Sequence, residues 1–169
     1  MTAVLALFWN ICLLRRGPQF VPTQSLFLII VISVSVLVHT FLALTYYPGW
    51  PALAALSTAV LDLSITAGIT WFALFLKNLP QRFPQTITAL IGCDLLLSTV
   101  LAIFVLFTGN PTDQLTQSIV VLVSIWIVSV SGYILHHALN ISVFMGILLF
   151  MAISLISTMF TLATGPAPA

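Results

Sequence analysis

The chain contains no glutamate, and its three acidic residues are the aspartates Asp62, Asp94 and Asp113. Only four lysines and arginines stand beside them, so charged residues make up 4% of the sequence. Soluble domains carry roughly 25%. With net charge +1 and no basic tract, nothing supports a nucleic-acid partner or polybasic capture of anionic lipid. The two cysteines, Cys12 and Cys93, form no Cys-x-x-Cys pair and are read as small apolar residues rather than a disulfide. Cys12, nearer the membrane boundary, is also a position open to palmitoylation. Gly-x-Ser-x-Gly, His-Glu-x-x-His and a phosphate-cradling glycine loop are missing as well. Neither an enzyme activity nor a cofactor is expected.

What fills the chain is hydrocarbon: 61% of residues are hydrophobic and the mean hydropathy is +1.24. The apolar runs cover approximately 25–46, 53–76, 85–108, 118–137 and 141–163, each near the ~20 residues that a ~30 Å bilayer core requires. The expected fold is an all-α bundle of five transmembrane helices over 25–163, with the lipid bilayer as its surroundings. Residues 164–169 form a short tail. Residues 1–24 form an N-terminal segment whose apolar stretch, Val4 to Leu14, is short for a span. It is read as an interfacial helix anchored by Trp9, with a mismatched sixth span as the alternative. Its basic pair Arg15 and Arg16 follows the apolar stretch, the reverse of a signal peptide.

All four basic residues fall on one side of a five-span chain. Arg15 and Arg16 precede the first run, and Lys77 and Arg82 sit between the second and third. The connections Tyr47–Pro51 and Gly109–Asp113 hold none. Cytoplasmic loops collect lysine and arginine, so the N-terminus is placed in the cytoplasm and the C-terminus on the opposite side. Tyr46, Tyr47 and Trp50 supply an aromatic belt at the outer boundary. No proline interrupts a run and no inverted repeat divides the chain, which argues against a transporter built on broken helices.

Polar residues inside the runs are the candidates for function, because a carboxylate at mid-membrane costs about 2.5 kcal/mol or more. Counting 1.5 Å per residue, His39 lies about 10 Å from the outer end of its run and Asp62 about 14 Å from that of the next. Asp94 lies about 14 Å from the inner end of the third. A His39, Asp62 and Asp94 cluster is geometrically allowed. Thr58, Asp62, Thr66 and Thr70 make one polar stripe, while Ser35 and Ser98 stand four residues from His39 and Asp94. Two explanations compete: hydroxyls and acids as glue between helices, or a proton or ion pathway. Small residues four apart, Ser64 with Gly68, Ser142 with Gly146 and Ser154 with Thr158, are candidates for close helix packing or for a partner's helix.

His136 and His137 share a helix end with Asn140, but neighbours in sequence point apart and no further ligand is close, so no metal site is expected. Nor does His39 match them in depth as a haem ligand pair would. They are read as caps on the terminal carbonyls. Asp62 and Asp94 on adjacent spans resemble the acids of aspartyl intramembrane proteases in number only, because Leu61-Asp62-Leu63 and Cys93-Asp94-Leu95 lack the motifs around them.

The stretch Phe72-Ala73-Leu74-Phe75-Leu76-Lys77 leads into Phe83-Pro84-Gln85-Thr86-Ile87-Thr88-Ala89-Leu90, and Ile125-Trp126 is followed by Ser131-Gly132-Tyr133. These segments resemble the Yip family, five-span membrane proteins named for interaction with Rab-type GTPases. The likeness covers 25–163 and implies a compact five-helix bundle. It does not imply Rab binding, since the long hydrophilic N-terminal region of the eukaryotic members is replaced by about 24 largely apolar residues. The similarity is to the compact bacterial type, which implies a bacterial inner membrane. No active-site residue transfers. The favoured expectation is a non-enzymatic accessory or scaffolding subunit contacting other membrane protein subunits. The alternative is a small transporter or proton- or ion-conducting component using His39, Asp62 and Asp94.

Overall fold

The computed structural model describes residues 2–15, 17–18, 21, 24–47, 49–108 and 113–164. Arg16, Pro48, most of the 109–113 connection and the 165–169 tail lie outside them. The described residues form six α-helices: α1 (Thr2–Cys12), α2 (Ser25–Tyr46), α3 (Ala52–Leu76), α4 (Phe83–Thr108), α5 (Gln114–Leu139) and α6 (Val143–Thr164). Five of them, α2 to α6, are long and apolar enough to cross a membrane. This is an integral membrane protein. The reason is the one read from composition: in hydrocarbon every backbone N–H and C=O must be bonded within the segment, and a helix does this alone.

The long helices form a closed ring in which α2 packs on α4, α4 on α5, α5 on α6, α6 on α3 and α3 back on α2. That order skips along the chain. α4 is the most enclosed member, with an unbroken buried stretch from Thr86 to Cys93. It is covered there because α1 docks on the face that would otherwise meet lipid. α1 has 11 residues, about 16 Å of helix, and is far too short for a sixth span. It is more than a surface helix, however. Trp9 points outward, but Phe8, Ile11 and Cys12 join the main core. The Phe8 ring occupies the space a side chain at Gly92 would fill, and stacks on Phe27 of α2 at 6.0 Å.

Three helices end at the basic side of the bundle by the same device. Leu14, Asn78 and Asn140 have φ of 59°, 58° and 52°, the left-handed turn that stops a helix. The following N–H groups of Arg15, Leu79 and Ile141 donate back to the Asn10, Leu74 and His136 carbonyls, closing Schellman motifs at α1 and α3, while at α5 the Asn140 N–H shares the His136 carbonyl. Leucine at such a φ costs roughly 1 kcal/mol or more. Arg82, in the 3-10 turn before α4, donates to the His137 and Ala138 carbonyls at 3.4 and 3.3 Å. The cap on α5 is thus an arginine from another connection. His136 instead turns its Nδ1 to the Ile141 carbonyl, and His137 packs edge-on against Tyr133 at 4.5 Å.

Candidate functional site

The ring encloses a chamber of about 220 Å³ lined by residues of all five long helices, among them His39, Asp62, Thr66 and Asp94. At a liquid-water share of about 30 Å³ each, the space matches several water molecules. α2 brings Ser35 and His39, α3 brings Asp62 and Thr66, α4 brings Asp94, α5 brings Ser124 and Ser131, and α6 brings Ser154. Asp94 stands eleven residues into α4, about 16 Å from its basic end. Asp62 is exposed and therefore stands where the chamber opens.

His39 and Asp94 form an ion pair across the α2–α4 seam, Nε2 to Oδ2 at 3.1 Å. The other ring nitrogen, Nδ1, lies 2.8 Å from the Ser35 carbonyl oxygen. A carbonyl only accepts, so Nδ1 carries a proton. The Nε2–Oδ2 contact then holds one further proton, resident either on the imidazole or on the carboxyl. In both forms the two residues together are neutral, which is how an acid is tolerated at this depth.

Asp62 is partnered differently. Its Oδ1 accepts from the hydroxyl of Ser157 on α6, and among the described residues the one ion pair is His39 with Asp94. His39, Asp62 and Asp94 line one chamber without converging as a metal centre does.

The hydroxyls settle less between helices than glue requires. Ser33, Thr40, Ser64, Thr99, Ser124 and Thr158 each donate to the carbonyl four residues back in their own helix, and Thr86 to that of Arg82 in the turn before α4. Thr58 donates three back, to Ala55. Among the described residues, Ser157 is the one hydroxyl bonded to another helix. The local carbonyl is within reach of most of these hydroxyls, which are then satisfied before any neighbour arrives, whereas the buried hydroxyls of Thr70 and Thr116 have no partner among the described residues. Thr58 and Thr70 of the α3 stripe are buried and Thr66 lines the chamber, so the stripe faces inward.

The small residues separate into three roles. Gly146 of α6 sits against Gly132 of α5 so closely that a Cβ there would lie 2.2 Å from the Gly132 carbonyl oxygen. Ser142 receives the Met145 N–H at 3.2 Å and is the N-cap of α6. Ser64 and Gly68 are exposed, and nothing approaches a Cβ at Gly68 within 4 Å. Gly132, with Val128 and His136 four places away, carries a close approach that small-residue spacing did not single out.

No family model, curated protein or solved structure matches the chain. The site is therefore read from its own chemistry.

Proposed function

We propose that this is a non-enzymatic membrane component that takes up a proton, or a monovalent cation in its place, at the ring chamber. Asp62 is the binding carboxylate and the His39–Asp94 pair a neutral proton store beside it. One observation carries this reading: ionisable residues from three different spans line a single chamber. Local bonding supports it, because the hydroxyls that would have made the acids part of a glue network are mostly occupied by their own helices. Hydroxyls of Thr66, Ser124 and Ser154 around the chamber suit a small monovalent ion, whose ligands are neutral oxygens beside one carboxylate.

The test is reconstitution of the purified protein in liposomes with an internal pH-sensitive dye, under imposed proton and sodium gradients. Wild-type vesicles are expected to pass one of the two ions faster than protein-free vesicles. Asp62→Asn should abolish that flux while the protein remains monodisperse. Wild-type vesicles as tight as empty ones to both ions would defeat the proposal.

A second reading, the accessory subunit, draws on Ser64 and Gly68, which present a smooth outward strip on α3 where another helix can lie close. It is compatible with the resemblance to compact Yip-family proteins of a bacterial inner membrane and with a cytoplasmic N-terminus. Gentle extraction followed by mass spectrometry tests it, and a fixed set of co-purifying subunits is the expected result. A reporter fused after Asn78 tests the orientation.

A further inference from the structure

The chain's two cysteines lie 81 positions apart, on different helices, yet the fold brings them together. Docking of Phe8 over Gly92 sets the last turn of α1 beside the middle of α4. The Cys12 Sγ then lies 4.0 Å from the Cys93 carbonyl oxygen, and the Cys93 Sγ lies 4.0 Å from the Phe8 carbonyl oxygen. Each sulfur reaches over the other helix's backbone, and both thiols are free. Cys12 faces this seam, 2% exposed, and is turned away from the lipid that a palmitate would occupy.

We infer that Cys12 and Cys93 are a peroxide-responsive thiol pair that closes reversibly to a disulfide and staples α1 to α4. The inference stands apart from the proposed function. Hydrogen peroxide is the oxidant by class, being small and neutral enough to reach thiols that are 2% and 1% exposed. The Cys12 sulfur attacks one peroxide oxygen, the O–O bond breaks, and Cys12 becomes a sulfenic acid as hydroxide leaves and takes up the thiol proton to form water. The Cys93 sulfur then attacks the Cys12 sulfur, the S–O bond breaks, and a second water leaves with the Cys93 proton. Two thiols and one peroxide give one disulfide and two waters, the sulfurs losing the two electrons that the peroxide gains. A dithiol reductant reverses it by exchange. Cys12 is the attacking group because the Cys93 thiol, by hydrogen bonding to it, holds its pKa below the ordinary thiol value. Disulfides facing a reducing compartment are characteristically transient and redox-sensing, as this one would be. Its closure fixes α1 against the turn of α4 that carries Leu90, Ile91 and Asp94, all lining the chamber.

The experiment treats membranes holding the full chain with hydrogen peroxide, denatures them, and counts free thiols with a polymer-linked maleimide, alongside the intact mass. The wild type is expected to lose both reactive thiols together, as a monomer lighter by two hydrogens, and to regain both with dithiothreitol. Cys12→Ser and Cys93→Ser should each keep a monomer without that mass loss. Retention of both thiols, gain of oxygen without loss of hydrogens, or a disulfide found only between two copies would each overturn the inference. The wild-type mass alone decides it even where a serine variant fails to accumulate.

Discussion

Helices α5 and α6 meet in two ways along their length. Near the basic end Gly132 and Gly146 let the two backbones touch, with the Ile147 side chain and backbone lying over Gly132. Farther along, the same helices supply Ser124, Phe150 and Ser154 to the wall of the chamber, which Ser131 joins from beside Gly132. The seam is made by removing side chains, whereas the chamber has a largely apolar lining into which His39, Asp62 and Asp94 bring ionisable groups from the other helices. In a medium where lipid tails are as apolar as leucine, hydrophobicity does not pull helices together, so close contact requires small residues and spacing requires residues that bond at a distance. One bundle contains both solutions within a few turns.

The largest expected effect is on the seam. Gly146→Leu places carbon against the Gly132 backbone, which has no rotamer to escape into, so the loss should reach or exceed the upper end of the ~1–3 kcal/mol typical of overpacking. Size-exclusion yield and melting temperature in detergent report it, and a well-folded variant would break the contrast between seam and chamber. Next comes the chamber. A double-mutant cycle on His39→Leu and Asp94→Leu is expected to give a coupling of about 1–2 kcal/mol, above the ~0.6 kcal/mol average for hydrogen bonds between membrane helices. A coupling near zero would mean that the two residues do not hold the chamber wall. Arg82→Gln removes the donor from the His137 and Ala138 carbonyls and should lower stability by about 1 kcal/mol, as loss of a cation at a helix C-terminus does. The smallest effect belongs to Gly68→Ala, where open space leaves only the helix preference, a gain of up to about 1 kcal/mol. If that variant is stable when purified but loses co-purifying proteins, the α3 strip is a contact for another subunit.

Much of the architecture was legible because membrane spans are written in length and composition. The runs at 25–46 and 53–76 match α2 and α3 within a residue, while α4 and α5 begin earlier than their apolar runs. Phe83 and Pro84 start α4 because proline is tolerated in a first turn. Gln114, Thr116 and Gln117 are polar, yet the Asp113 carbonyl accepts from the Gln117 N–H and the helix is already under way. The site was half legible. His39, Asp62 and Asp94 stood out through their rarity in hydrocarbon and their matching depths, and the inward turn of the α3 stripe followed from its spacing. Their partners were not legible: Ser157 and Arg82 are ordinary residues until helices distant in sequence are brought beside Asp62 and the end of α5. The left-handed caps at Asn78 and Asn140 carried a faint signal, since asparagine tolerates that turn, and the one at Leu14 carried none.

By itself the sequence determined that the chain holds five runs long and apolar enough to cross a membrane and that three ionisable residues fall within them, because length and composition decide what a bilayer core accepts. Only the tertiary structure decided that the ring runs α2, α4, α5, α6, α3, that His39 meets Asp94 while Asp62 meets Ser157, and that the two cysteines share a seam. Those are choices among many helix arrangements of similar apolar burial, and they turn on where a glycine lets two backbones touch and where a side chain fills the gap, which no single helix records.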